Sequence, residues 1–194
     1  MTPVTAEALE RRRARTREDI LEAAWALCRE EGLAGLSLRD LAARVGMRAP
    51  SLYSYFDSKD AIYDAMFAQG QRELQAAFAF LPDEGVTRED FRTGAHVWFT
   101  FCTEDPVRYQ LLFQRILPGF EPSEASYALA VEHLDNLRRR MASLGIVDPR
   151  HLDLWTAVLT GLVDQQLSND PGGDRWARLL DEAVDLFCDH AGVP

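Results

Sequence analysis

Along this chain apolar residues return every three or four positions, in runs closed by glycine, proline or an aspartate–proline pair. That period stacks side chains on one face of an α-helix. Ile20, Leu21, Ala24, Leu27 and Cys28 form one such stripe and predict a helix over 16–32. Thr16 is its N-cap, and Glu18 and Asp19 suit its first turn. Leu38, Leu41, Ala42 and Val45 form a second, shorter stripe, and Leu52 and Phe56 a third. A long helix then runs from residue 59 to about residue 81, where Pro82 stops it. Helices over 87–104, 106–114, 121–144, 149–167 and 174–190 complete the series. The prediction is an all-α chain of about nine helices.

The two short stripes share one segment, residues 37–59, which reads SLRDLAARVGMRAPSLYSYFDSK. Ser37, with Asp40 three residues on, makes a capping arrangement. Gly46 breaks the pattern where a tight turn needs a residue that tolerates positive φ. Pro50 stands in the first turn of the next helix, where a missing N–H costs nothing. Two short helices across a glycine turn make a helix-turn-helix, here over about 37–56, whose second helix is offered to the DNA major groove. Arg39 and Arg48 are donors able to bond guanine O6 and N7 together. Ser51, Ser54 and Tyr55 can bond phosphates or base edges, and Ala49 and Pro50 suit a thymine methyl. Arg39 has an alternative partner in Asp40 or Asp57, and Tyr53 and Tyr55 have an alternative in packing.

The segment resembles the DNA-binding domain of the tetracycline-repressor (TetR) family of bacterial transcription regulators. Leu41, Ala42 and Gly46 give its L-A-x-x-x-G turn, Leu52, Tyr53, Tyr55 and Phe56 its L-Y-x-Y-F run, and Ser58 to Ile62 its S-K-D-A-I. The resemblance is firm over 15–75 and architectural beyond. It implies an N-terminal three-helix DNA-binding domain over 15–75 and a larger helical ligand-binding and dimerisation domain over 76–194. It implies DNA contacts from Ser37, Arg39, Arg48, Ala49, Pro50, Ser51, Tyr53, Tyr55 and Lys59, with Tyr53 and Lys59 on the backbone. Where Tyr55 stands, the family often has histidine. It further implies a homodimer on a roughly palindromic double-stranded operator, most often a repressor, released by a small-molecule effector. The helix from residue 59 then serves as the rod joining the two domains.

The net charge of −10 looks wrong for such a partner, but its distribution removes the conflict. Residues 1–60 carry ten basic and ten acidic side chains, so the remainder holds the whole excess. A local basic face meets DNA, whatever the average. Residues 1–14 read as a disordered basic segment. Together with Arg15 and Arg17, its Arg11, Arg12 and Arg13 are either an arm on phosphate or minor groove or part of a solvated tail. Arg138, Arg139 and Arg140 read as a solvated face. No run approaches the ~20 apolar residues of a membrane span, and no apolar run follows the N-terminal charges, so a cytoplasmic protein is expected. Cys28, Cys102 and Cys188 are widely spaced, which reads as buried reduced thiols, with a redox switch as the alternative.

An effector implies a pocket of apolar side chains with a few polar groups. The candidates are Phe78, His96, Trp98, Phe99, Tyr109, Phe113, His133, Trp155 and Gln165, each with an alternative as core or surface. A ligand for this set is apolar or aromatic, and neutral or cationic beside an acidic body. The last two helices carry Leu159, Leu162, Val163, Leu180, Val184 and Phe187, which need a cover. The resemblance implies that a second copy supplies it, the alternative being burial within one chain. There is no H-x-x-x-H pair, P-loop, G-x-S-x-G or C-x-x-C, so no catalytic residue, metal or cofactor is expected. Two rival readings are a regulator without an effector and a small-molecule binder with a vestigial reading head.

Overall fold

The computed structural model describes residues 3–193. Its helices are α1 (Pro3–Glu31), α2 (Leu38–Arg44), α3 (Ala49–Leu52), α4 (Lys59–Ala77), α5 (Arg88–Glu104), α6 (Pro106–Phe113), α7 (Glu124–Ser143), α8 (Pro149–Asn169) and α9 (Leu180–Ala191). Single 3-10 turns at Leu33–Gly35 and Ala177–Leu179 precede α2 and α9. The described residues form no strand, and the chain is all-α with an N-terminal helix-turn-helix.

The chain divides into two compact units. The first is Met1–Gln69 with Gln110–Ser126, the second Gly70–Tyr109 with Tyr127–Pro194. In the first, α1 turns Ile20, Ala24 and Cys28 inward, and α2, α3 and the turn after α3 bring Leu41, Ala42, Leu52 and Phe56 to the same core. Gly46 has φ +68°, the left-handed conformation that ends α2 cheaply. The segment 110–126 joins this unit, although the expected boundary lay at 75/76. Asp64 on α4 is the reason: it accepts from Ser123 N at 2.7 Å, Ser123 Oγ at 3.1 Å and Ser126 Oγ at 2.9 Å. Phe120 also meets the Tyr63 ring edge-on at 5.6 Å.

Residues 3–14, expected to be disordered, are the start of α1, and Thr16 lies inside the helix rather than capping it. Its hydroxyl donates to Arg12 O at 3.0 Å. The cause is composition: TAEALERRRAR is nearly all Ala, Glu, Leu and Arg, the strongest helix formers, and outweighs the lack of a buried stripe. At the other end, α4 stops at Ala77 rather than near residue 81. Arg140 takes Phe78 O and Pro82 O at 3.4 and 3.2 Å and holds these residues in a turn.

In the second unit α5 packs on α8 and α9. Phe91 and Phe187 each approach the Trp155 ring to 4.8 Å. Thr87 and Asp90 form a reciprocal capping box at the start of α5, as their spacing requires. Gln166, buried near the end of α8, organises the connection to α9. Its Nε2 donates to Asp170 O and to Gly173 O, and its Oε1 accepts from Trp176 N at 3.0 Å and Ala177 N at 3.3 Å. A buried amide with this many partners offsets its desolvation.

Candidate nucleic-acid interface

Helix α3 is a single turn. Its N-cap is Arg48, in extended conformation with no side-chain cap, and Pro50 lies in the first turn. Leu52 and Phe56 anchor the element inward, at 1% and 3% exposure. The residues around them turn outward: Pro50, Ser51, Tyr53 and Ser54 are exposed, Ala49 and Tyr55 half-buried. Tyr53 is 54% exposed, so packing does not account for it. Ser37 caps α2, its side chain accepting from Asp40 N, and that hydroxyl is thereby engaged. Arg39 projects beside it with 88% of its side chain exposed, and its Nε comes within 3.4 Å of Asp40 Oδ1. An ion pair this exposed is worth little and leaves the guanidinium available.

The cations of this unit sort into held and free. Arg44 is held by both Glu30 oxygens, at 2.7 and 2.8 Å. Arg13 donates to Ser54 O at 2.7 Å, and Arg17 donates to Tyr55 O. Lys59, in the first turn of α4, has its ammonium 5.4 Å from the Tyr63 ring centroid. Among the described residues Arg48, Arg12 and Arg15 are exposed and have no carboxylate partner. Sequence reasoning placed Arg13 and Arg17 only in a basic cluster; their bonds to carbonyls 41 and 38 positions away carry no local signal.

The effector candidates do not form one set. Trp155 and Phe99 are core, and Tyr109 is fully buried, its hydroxyl donating to Asp164 at 2.7 Å. Trp98 meets the Tyr109 ring edge-on at 6.4 Å. His96 and Gln165 are at the surface, His96 beside Asp181 at 2.8 Å and Gln165 accepting from Asn169. Phe113 belongs to the first unit. Phe78 and His133 do come together, edge-on at 5.2 Å, in a cleft of about 280 Å³ that Gln75, Asn136, Arg139 and Arg140 also line. Burial, and then Arg140, push the His133 imidazole down to about 4. Arg140, read as solvated, is held by Asp83 at 3.1 Å with 12% of its side chain exposed. Sequence reasoning missed Gln71. It is 1% exposed on α4, and neither atom of its amide has a partner among the described residues.

The proposed interface residues also need correction. Leu159, Val163, Leu180, Val184 and Phe187 are all buried within the chain, and only Leu162 is partly exposed. They cover α5 and one another, which satisfies the stripe without a copy. The outward residues are Leu154, Ala157 and Gly161 on α8, with Leu179 just before α9 and Leu186 on it, the last 65% exposed. The three cysteines are buried free thiols. Burial pushes Cys28 up to about 11 and raises Cys102 and Cys188. Among the described residues no helix is long and apolar enough to cross a membrane, and no cluster of His, Cys, Asp or Glu could hold a metal.

A glycine-turned pair of short helices with an exposed Arg–Pro–Ser–Tyr surface defines a helix-turn-helix DNA-binding protein. Residues 20–66 match the family model of bacterial regulatory proteins of the tetR family. Those residues carry the helix-turn-helix DNA-binding domain of that family. It is 27% identical over 101 residues to the uncharacterized HTH-type transcriptional regulator YobS of Bacillus subtilis (strain 168), a match covering 52% of this chain and 53% of the relative. The match thus spans about half the length of that curated relative. The fold is that of a tetR-family transcriptional regulator from Streptomyces coelicolor, with TM-score 0.72, 18% identity and coverage of 91% of this chain and 80% of that one. It is also that of the transcriptional regulator FadR from Bacillus subtilis, solved in complex with stearoyl-CoA, with TM-score 0.70, 15% identity and coverage of 87% and 95%.

Proposed function

We propose that this protein is a homodimeric transcriptional regulator, a repressor that a small molecule releases from a roughly palindromic operator. The observation that carries the reading is the surface of α3. Arg48, Pro50, Ser51, Tyr53 and Ser54 are presented outward while Leu52 and Phe56 hold the element from behind. A fold spends exposure on a large tyrosine and an unpaired arginine where a partner completes them. Arg48 reads a guanine edge, Ala49 and Pro50 meet thymine methyls, and Arg39, Ser51, Ser54, Tyr53, Tyr55 and Lys59 hold phosphate or base edges. Ser37 serves chiefly to fix the start of α2.

The copy needed for two half-sites docks on the outward stripe of α8 and α9. Leu154, Ala157, Gly161 and Leu186 face that side, and a Cβ at Gly161 would meet nothing within 4 Å, which leaves room for close approach. Two heads then meet successive major grooves, about 34–36 Å apart. The effector enters the second unit along α4. Gln71 and Gln75 stand one turn apart on α4 and Phe78 follows its end, so the orphaned Gln71 amide lies one turn from Gln75 in the cleft that Phe78 and His133 line. A partly aromatic molecule with one polar group fits there. Stearoyl-CoA, bound by the FadR neighbour, belongs to that protein. The protein acts in the cytoplasm, without catalysis or cofactor.

The test is selection of duplexes from a random pool by the full chain, followed by gel-shift titration. The expected result is enrichment of a roughly palindromic sequence bound by a dimer. A chain that enriches nothing, or that binds as a single copy, defeats the reading.

A further inference from the structure

We propose that Arg13 and Arg17 of α1 are positioning residues for DNA reading: they fix the C-terminal end of α3 and the tyrosine-bearing turn that follows, rather than contacting DNA themselves. The proposal rests on the DNA-binding reading above.

The need comes from α3 itself. A single turn of helix has too few hydrogen bonds to hold its shape alone, and the carbonyls of Ser54 and Tyr55 lie past its last residue, Leu52, where no helical ladder fixes them. The two arginines supply what is missing, and they do it twice in the same way. Arg13 donates to Ser54 O at 2.7 Å and has its guanidinium 6.0 Å from the centre of the Tyr55 ring. Arg17, one helical turn later, donates to Tyr55 O and has its guanidinium 4.2 Å from the centre of the Phe56 ring. Each arginine thus takes one carbonyl and the ring of the next residue. A step of four residues along α1 is matched by a step of one residue along the turn. The planar guanidinium suits this double task, since its N–H groups point in the plane while its face lies on a ring. A cation at a helix C-terminus also complements the helix dipole.

The residues so fixed are those that matter for reading. Tyr53 and Ser54 are exposed between the anchors Leu52 and Phe56, and Tyr55 carries both a clamped carbonyl and a covered ring. The basic cluster of α1 therefore divides by task. Arg13 and Arg17 point to the protein, while Arg12 and Arg15, exposed and without a carboxylate partner among the described residues, stay available to phosphate.

Two measurements on the full chain test this, with Arg13→Gln, Arg17→Gln and Arg17→Lys against Arg12→Gln as control. Amide hydrogen exchange without DNA follows residues 54–56, whose N–H groups bond Ser51 O and Leu52 O. Binding to the duplex selected by the wild type, and to a random duplex, is then followed against salt. Arg13→Gln and Arg17→Gln should speed exchange at 54–56 about tenfold and cut the preference for the selected duplex about tenfold. Their salt slopes should stay unchanged. Arg17→Lys, which keeps the charge but lacks the planar fork, should lose the preference as Arg17→Gln does. Arg12→Gln should flatten the salt slope by about 0.9 and leave the preference intact.

A slope that flattens in Arg13→Gln and Arg17→Gln, with exchange and preference intact, overturns the proposal and makes both arginines phosphate contacts. If Arg17→Gln loosens the whole head, the exposed Arg13 decides through its own exchange pattern. A wild type that binds no duplex sinks the DNA-binding reading, and unchanged exchange in both Gln variants sinks the clamp separately.

Discussion

His96 Nε2 lies 2.8 Å from Asp181 Oδ1, and that contact is the last rung of a ladder between α5 and α9. Arg88, Arg92 and His96 follow one another at four-residue steps on α5, and Asp189, Asp185 and Asp181 do the same, in reverse, on α9. Arg88 meets Asp189 at 2.8 Å, and Arg92 meets Asp185 at 2.7 Å. The central rung is the most shielded, with 21% of the Arg92 side chain exposed. Arg92→Gln should cost about 1 kcal/mol, a value near the upper end for exposed pairs because several carboxylates share the cation. Urea titrations in dilute buffer and in molar salt check it, and the difference should shrink in salt.

Lys59 and Arg48 should fail differently. On the proposed reading Lys59→Ala removes a phosphate-binding charge and should weaken all duplexes alike, lowering the salt slope by about 1. Arg48→Ala should also relax the base preference, at a cost of about 1–3 kcal/mol on the selected site alone. Fluorescence anisotropy on selected and random duplexes separates the two.

Two leucines near the C-terminus separate the proposed copy interface from the core. Leu186 is 65% exposed and Leu180 is 1% exposed on the same helix. Leu186→Glu should give a folded single copy by light scattering, with helical circular dichroism unchanged. Leu180→Ala should cost about 2–5 kcal/mol in urea, as a buried leucine does.

His133 makes acid sensitivity local. Its folded value, about 4, lies below the ordinary 6.5, so on acidification the unfolded chain takes up the proton first. The contribution is intact above about pH 6.5 and is lost as pH falls toward about 4. Relative to wild type, His133→Phe should lose about 1–3 kcal/mol less over that interval. Urea midpoints at a series of pH values check the difference.

Gln71 should be a stability cost in the empty protein. Gln71→Met keeps the volume and removes two orphaned polar atoms, so it should raise the ligand-free stability by about 1–2 kcal/mol. A metabolite that raises the melting temperature of the wild type should lose that effect in the variant. Scanning fluorimetry with and without the metabolite reads both.

What could be read in the chain beforehand follows the range of each interaction. The head was legible because its signals are local. Gly46 needs its left-handed turn, Ser37 its neighbour Asp40, and Leu52 and Phe56 their spacing of four. The stripe of Leu159, Val163, Leu180 and Val184 was legible as a stripe but not as to its neighbour. A period of 3.6 marks an apolar face and is silent on whether another helix of the same chain or a copy covers it. Helix α1 was cut short because residues 7–14 are all exposed, and their helicity lies in propensity instead. The pocket candidates dispersed because an aromatic side chain looks alike in a core, as Trp155 is, and beside a cleft, as Phe78 is.

The one-turn length of α3 makes its form a loan from the opening helix. A chain shorn of residues 1–17 would keep every letter of the motif and lose both guanidinium groups that steady it. On the clamp proposed above, such trimming should leave a helical protein that still meets DNA but no longer tells one duplex from another.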